Sequence, residues 1–170
     1  MTSMPASDIN SLQLRPGFPS RIWVVVEQQK GESRRMAYDR RTQSFVATGY
    51  QSLLNARGFG GVYGWIGGTG LPPGPHYDVL LFTDGDPAPG AIVAAVICGV
   101  FFRSDRDHKF VALDERWEAR MAKADLSALP PDAHAELLRL YPVVDRGQGE
   151  GWFGAGEAMA HLARHPPEHD

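Results

Sequence analysis

The sequence predicts a mainly β protein with helices gathered in its C-terminal third: a small closed antiparallel barrel of about five to six strands with helices packed outside it. Three observations carry that prediction. Runs of β-branched and aromatic residues recur between turn-forming residues from Arg21 to Glu115. Helix formers then take over, in "ERWEARMAKADLSALPPDAHAELLRLY" and "GEAMAHLARH". A chain of 170 residues, 43% hydrophobic and 22% charged, has the size and composition of one soluble domain with a real core.

Residues 1–20 read as an N-terminal arm, residues 21–165 as a single domain and residues 166–170 as a polar tail. "RIWVVVEQ" opens the domain as a strand, and "GES" turns the chain. "RRMAYDRRTQSFVATGY" reads as two strands joined around "DRRTQ". From Leu53 to Pro75 the chain is rich in glycine and carries Pro72, Pro73 and Pro75, so it reads mostly as loop, with "VYGWI" as a short strand inside it. "YDVLLF" is the next strand and "TDGDPAPG" the turn that follows. "AIVAAVICGVFF" is too apolar to face water and reads as a buried strand. "RSDRDHK" is a polar turn, and "FVALDE" reads as the last strand. Pro131 and Asp132 signal a helix start. Ala133, Leu137, Leu138 and Tyr141 follow at helical spacing, which predicts a helix to about Leu140.

Composition excludes several function classes. Net charge is −3, so the chain as a whole does not attract nucleic acid, and no nucleic-acid partner is expected. The single cysteine, Cys98, rules out an internal disulfide and a multi-cysteine zinc site, and in "AAVICGVFF" it reads as a buried apolar residue. No run reaches the ~18 apolar residues of a membrane span. The N-terminus lacks the basic start and apolar core of a signal peptide, so a cytoplasmic protein is expected. Arg34, Arg35, Arg40 and Arg41 make a basic patch that reads as a solvated hairpin or as a phosphate contact. The four tryptophans read as core or interface residues.

Six segments, in order, resemble the soluble inorganic pyrophosphatases of the single-domain, OB-barrel type: "IWVVVE", "VYGWIGGT", "YDVLLF…PGAIVAAVICGVFF", "DRDHKFVALD", "DLSALP…LLRLYP" and "EGWFGAGEAMAHL". The resemblance implies an OB-like barrel and divalent-metal-dependent hydrolysis of pyrophosphate to two phosphates. Mg²⁺ would be the cofactor, with the attacking water activated on metal, and the protein a homo-oligomer. Lysine, arginine and tyrosine side chains would grip the phosphates. It assigns Arg35, Tyr63, Lys109 and Tyr141 to the substrate, which is pyrophosphate or another phosphoanhydride. It assigns Glu27, Asp78, Asp105 and Asp107 to metal. The family's substrate arginine in the next strand has no clear match, because "VATGYQSLLNARG" carries a short insertion; only Arg57 is available to replace it.

"DGDPAPG" looks like the family's D-G-D-P-x-D metal cluster, but its register is wrong. The family runs fifteen residues from the tyrosine of Y-G to the last cluster aspartate, and Tyr63 to Asp78 has that spacing. The other two cluster positions are then Pro73 and Pro75, and Asp84 falls eleven residues after Pro73. The longer loop of eukaryotic members would bring Asp84 near the required spacing, but it would put Pro89 where the third aspartate belongs. Asp84 and Asp86 are therefore expected in a solvated turn. Asp78, Asp105 and Asp107 are expected to converge near Tyr63 and Lys109.

Pro75 stands where the resemblance places the general base, and Ala37 and Pro73 replace two further carboxylates. A positioned base contributes roughly 10²–10⁴ in rate, so activity is expected to be weakened. The alternative is a catalytically silent homologue that binds a phosphate ligand or a partner subunit. His76, beside Asp78, Asp105 and Asp107, would make an imidazole–carboxylate set suited to Mn²⁺ or Zn²⁺; otherwise it reads, like His108, as a solvated residue.

Overall fold

The computed structural model describes residues 3–4, 8–119, 121–142 and 150–164. The strands are β1 (Ser3–Met4), β2 (Arg21–Gln28), β3 (Arg34–Asp39), β4 (Ser44–Gln51), β5 (Val62–Ile66), β6 (Asp78–Phe82), β7 (Ile92–Phe102), β8 (Lys109–Asp114) and β9 (Gly151–Gly154). The helices are α1 (Leu53–Ala56), α2 (Glu115–Glu118), α3 (Pro131–Leu140) and α4 (Ala155–Arg164). The polar tail at 166–170 lies outside the described residues.

Five strands close a barrel in the order β2–β5–β6–β8–β7 and back to β2. β1 and β9 add to β7 outside that ring. The barrel is closed with its helices outside, as the sequence predicts, but it is mixed: β6 and β8 run parallel. A parallel pair needs a crossover, and β7 supplies it by crossing between them in the chain. β9 falls in "GWFG", after the segment read as the last strand; its two glycines weaken the β signal. Among the described residues from Glu115 to Leu129, the helix-forming composition gives only α2 and a 3₁₀ turn at Leu126–Ala128. Side-chain caps from Asp114 and Asp125 start both short pieces. α3 spans the range its spacing predicts, with Pro131 in its first turn.

The barrel interior is filled from all five strands, by Val24, Val26, Ile66, Val79, Val93, Ile97, Phe110 and Ala112 among others, and α4 adds Ala158 and Leu162. A second core forms where α3 lays Ala133, Leu137 and Leu140 over Leu80, Val111 and Leu113. Gly64 is required by close approach: a Cβ there would lie 1.9 Å from the Val25 carbonyl oxygen.

β3 and β4 form a separate two-stranded sheet beside the barrel. The side chain of Gln28, buried at the end of β2, ties it down. Its Nε2 donates to the Glu32 and Arg34 carbonyls at 3.0 and 2.8 Å, and its Oε1 accepts from the Met36 amide at 3.1 Å. Tyr38 adds ring contacts to Phe45 and Trp65. Among the described residues, no helix is long and apolar enough to cross a membrane.

Candidate active site

The site begins with strand register. In the parallel pair, Asp78 of β6 lies opposite Lys109 of β8, each at the first position of its strand. Both are buried, at 4% and 6% exposure. Lys109 Nζ donates to Asp78 Oδ2 at 2.7 Å and to Asp107 Oδ1 at 3.0 Å, with Tyr63 Oη 3.4 Å away. His76 holds the other oxygen of Asp78: its Nε2 lies 2.8 Å from Oδ1, while its Nδ1 lies 2.8 Å from the Gly74 carbonyl. Carboxylate and carbonyl oxygens only accept, so this geometry is that of an imidazolium with both nitrogens donating.

Electrostatics follow from that arrangement. Burial pushes the Asp78 carboxyl up, but the hydrogen bond from His76 and the charge of Lys109 outweigh it and hold the group at about 2. Burial works against the charged forms of His76 and Lys109 too. The Asp78 carboxylate outweighs it for both, aided by Asp107 at Lys109, so both are raised above their ordinary values. Burial raises Asp107. The Tyr63 hydroxyl is raised well above its ordinary value by burial and by Asp78 and Glu27.

Glu27 arrives by a different device. Val26 pairs with Gly64, but Gln28 pairs with Tyr63, so Glu27 is the extra residue of a bulge. Bulges re-aim a side chain out of the pleat. Glu27 lines a cleft of about 500 Å³ together with Arg35, Tyr63, Arg103, Lys109 and Tyr141. Burial, and then the charge of Asp78, push its carboxyl up to about 7 against the pull of His76, Arg35 and Lys109. At neutral pH it is divided between its two protonation states.

Other expected site residues lie elsewhere. Asp105 is more than half exposed; its Oδ1 accepts from the Asp107 amide, and its Oδ2 pairs with Arg103 at 3.2 Å. It therefore does not join Asp78 and Asp107 on Lys109. Arg57 donates to the Leu140 carbonyl at 2.6 Å and closes the end of α3 instead of facing the cleft. Pro73 and Pro75 are exposed loop residues. His76 is buried at 8%, not solvated, and His108 is half-buried with its ring edge-on to Phe102 and His161. Asp84 and Asp86 are exposed beyond the far end of β6, where Asp84 Oδ1 accepts from Trp117 Nε1 at 3.1 Å. Arg103 was not singled out from sequence. It follows β7 directly and sits over the Tyr141 ring at 5.6 Å, and the one available signal was a cation ending a long apolar strand.

The donor set is not that of the divalent metal that the resemblance implies. Both Asp78 oxygens are already engaged by cations, and Asp107 shares Lys109 with it. Among the described residues, no three side chains of histidine, cysteine, aspartate or glutamate are grouped to hold an ion. The ammonium group of Lys109 already sits between the Asp78 and Asp107 carboxylates. The residues present do not fit a preformed metal cluster.

No family model matches the sequence. Solved structures do match its fold. An inorganic pyrophosphatase from Neisseria gonorrhoeae superposes with a TM-score of 0.68 at 22% identity, covering 92% of this chain and 95% of that one. The Thermus thermophilus enzyme gives 0.69 at 17% identity, with 92% and 95% covered. That from Ehrlichia chaffeensis gives 0.67 at 18%, with 90% and 97% covered. The chain has the fold of the soluble inorganic pyrophosphatases.

Proposed function

We propose that the protein is a pyrophosphatase-like hydrolase that takes pyrophosphate or another phosphoanhydride in the Glu27–Arg35–Lys109 cleft and turns it over slowly. The observation that supports this most is that Arg35, Tyr63, Lys109 and Tyr141, the four side chains assigned to substrate by resemblance, line one cleft. Arg35 and Arg103 supply cation charge to the anion. Tyr63 stays protonated and donates. Tyr141 is fixed by stacking on Phe101 at 4.8 Å, and its carbonyl accepts from Trp152 Nε1.

Attack of water on a P–O–P linkage needs a proton acceptor. Pro75 supplies none, and Glu27 is the cleft carboxylate whose affinity for a proton is near neutral. A base placed by a bulge and shared with a buried ion cluster is a substitute for a dedicated one. Turnover of pyrophosphate with Mg²⁺ is therefore expected at least about 10²-fold below that of a complete pyrophosphatase.

The test is phosphate release from pyrophosphate with Mg²⁺, Mn²⁺, Zn²⁺ and Co²⁺ in parallel, on the wild type and on Glu27→Gln. Slow release that drops further in Glu27→Gln is expected. A wild-type rate equal to that of a complete homologue overturns the weight given to Pro75, and no release with any metal overturns the hydrolase reading. The cytoplasmic location expected from the N-terminal sequence and the homo-oligomer implied by the resemblance belong to the same proposal, and light scattering on the purified protein reads its assembly state.

A further inference from the structure

We infer that the ligand of this cleft is an organic diphosphate, a pyrophosphate esterified to an apolar or aromatic group, with the anhydride on the charged wall and the organic group on Tyr50, Leu53 and Leu54. The inference rests on the phosphoanhydride reading above and narrows its substrate class.

Size is the first argument. A cleft of about 500 Å³ falls in the range that encloses a drug-sized organic molecule. Bare pyrophosphate, two phosphoryl groups sharing one oxygen, fills a minor part of it.

The lining is the second. Met36, Tyr50, Leu53 and Leu54 form much of the wall. A hydrated polyanion gains nothing from these surfaces and loses water against them. An aromatic or aliphatic group gains in proportion to the area it covers.

The third argument is how that wall is held. Tyr50 and Leu53 are 74% and 64% exposed, among the most exposed large apolar side chains of the described residues. Single exposed apolar residues are ordinary, but these two border one cleft and flank a fixed point. Ser52, between them, is buried at 4%; its amide donates to the Ser33 carbonyl at 2.8 Å, and its Oγ accepts from the Asn55 amide to start α1. The backbone is therefore set before a ligand arrives, which lowers the ordering cost of binding. This segment lies within "VATGYQSLLNARG", the stretch in which the resemblance finds a short insertion and no clear match for the substrate arginine.

Charge agrees. Asp78 and Asp107 already offset Lys109, and Asp105 pairs with Arg103 at 3.2 Å, so Arg35 carries most of the positive charge left to the cleft. A diphosphate monoester has one ionisable oxygen fewer than pyrophosphate and asks for less compensation.

Titration calorimetry decides it, with ADP as the planar ester, geranyl diphosphate as the aliphatic ester and pyrophosphate as the bare anion, all in Mg²⁺ buffer. At least one ester is expected to bind about tenfold tighter than pyrophosphate, and the better ester tells whether the group is planar or aliphatic. The double variant Tyr50→Ala, Leu53→Ala should lose about tenfold for that ester and leave pyrophosphate within about a factor of two. Both side chains are largely exposed, so an unchanged melting temperature confirms that the variant is folded. Tyr50→Phe should keep the affinity. Pyrophosphate binding as tightly as both esters, with its affinity reduced by Arg35→Ala, overturns this inference and leaves the phosphoanhydride reading standing. If none of the three binds, or Arg35→Ala weakens none of them, the phosphoanhydride reading fails and this inference fails with it.

Discussion

β6 carries aspartates beyond and at its two ends, and they behave as different chemical groups. At its start, Asp78 is 4% exposed, accepts from two cationic side chains and is held at about 2. Just past its end, Asp84 and Asp86 are exposed, and Asp84 accepts a hydrogen bond from an indole. The second pair has the sequence motif of a metal site, and the first residue has the surroundings of a functional one. A charge taken out of water must be met by opposite charge and by hydrogen bonds, so it organises its neighbours. A charge left in water organises very little. Which aspartate matters is decided by what faces it across the sheet.

The comparison is tested most severely by Asp78→Ala. Removing the shared acceptor leaves the buried His76 without its carboxylate and Lys109 with Asp107 alone, and a loss of about 3–5 kcal/mol is expected from urea unfolding. A loss below about 1 kcal/mol would place Asp78 in the same class as Asp84. Lys109→Ala is next. It should cost about 3 kcal/mol, and because it frees two carboxylates, Mn²⁺ should restore part of the melting temperature in this variant and not in the wild type. No response to Mn²⁺ would show that Lys109 does not stand in the way of a divalent cation.

Two pH effects of opposite sign follow. Asp78 is lowered from 3.8 to about 2, so its stabilisation is present above 3.8 and is lost as pH falls toward 2. Glu27 is raised from 4.5 to about 7, so the folded state binds its proton more tightly and stability falls as pH rises from 4.5 to 7. Glu27→Gln should remove that decline and stabilise the protein at pH ~8 by on the order of 2 kcal/mol. An unchanged stability–pH curve would mean that Glu27 titrates as an ordinary surface carboxylate. The smallest effect is expected from Asp84→Ala with Asp86→Ala: stability within about 0.5 kcal/mol and pyrophosphate affinity within about a factor of two. A larger loss of affinity would return "DGDPAPG" to the site.

Much of the fold was legible because its signals are local. Apolar, β-branched runs mark β2, β6 and β7, and Pro131 with the Ala133–Leu137 spacing marks α3. The antiparallel expectation missed one rung, since nothing local says that β6 and β8 run side by side in parallel. That rung pairs Asp78 with Lys109. Spacing from Tyr63 identified Asp78, but its partner across the sheet is a property of topology. Glu27 was visible as a residue, whereas the bulge that turns it into the cleft depends on register between β2 and β5. His76 read as a loop residue because its burial comes from the packing of its loop against the barrel. Asp105 and Asp107 look equivalent in "RSDRDHK", yet Arg103 takes one and Lys109 the other, a choice made by the turn geometry.

The β3–β4 hairpin carries Arg35, Met36 and Tyr50 to the cleft without contributing a strand to the barrel, and Gln28 on one side and Ile9 and Asn10 on the other tether it by hydrogen bonds. The floor and the wall of the site are thus inherited as separable parts. A barrel rung cannot be lengthened without shifting every side chain beyond it to the other face. The hairpin and the α1 turn after it can gain or lose residues and leave Asp78, Lys109 and Tyr63 in register. Selection for a new ligand can act on that cassette alone, so descendants of this fold can diverge in what they admit long before they diverge in how they are built.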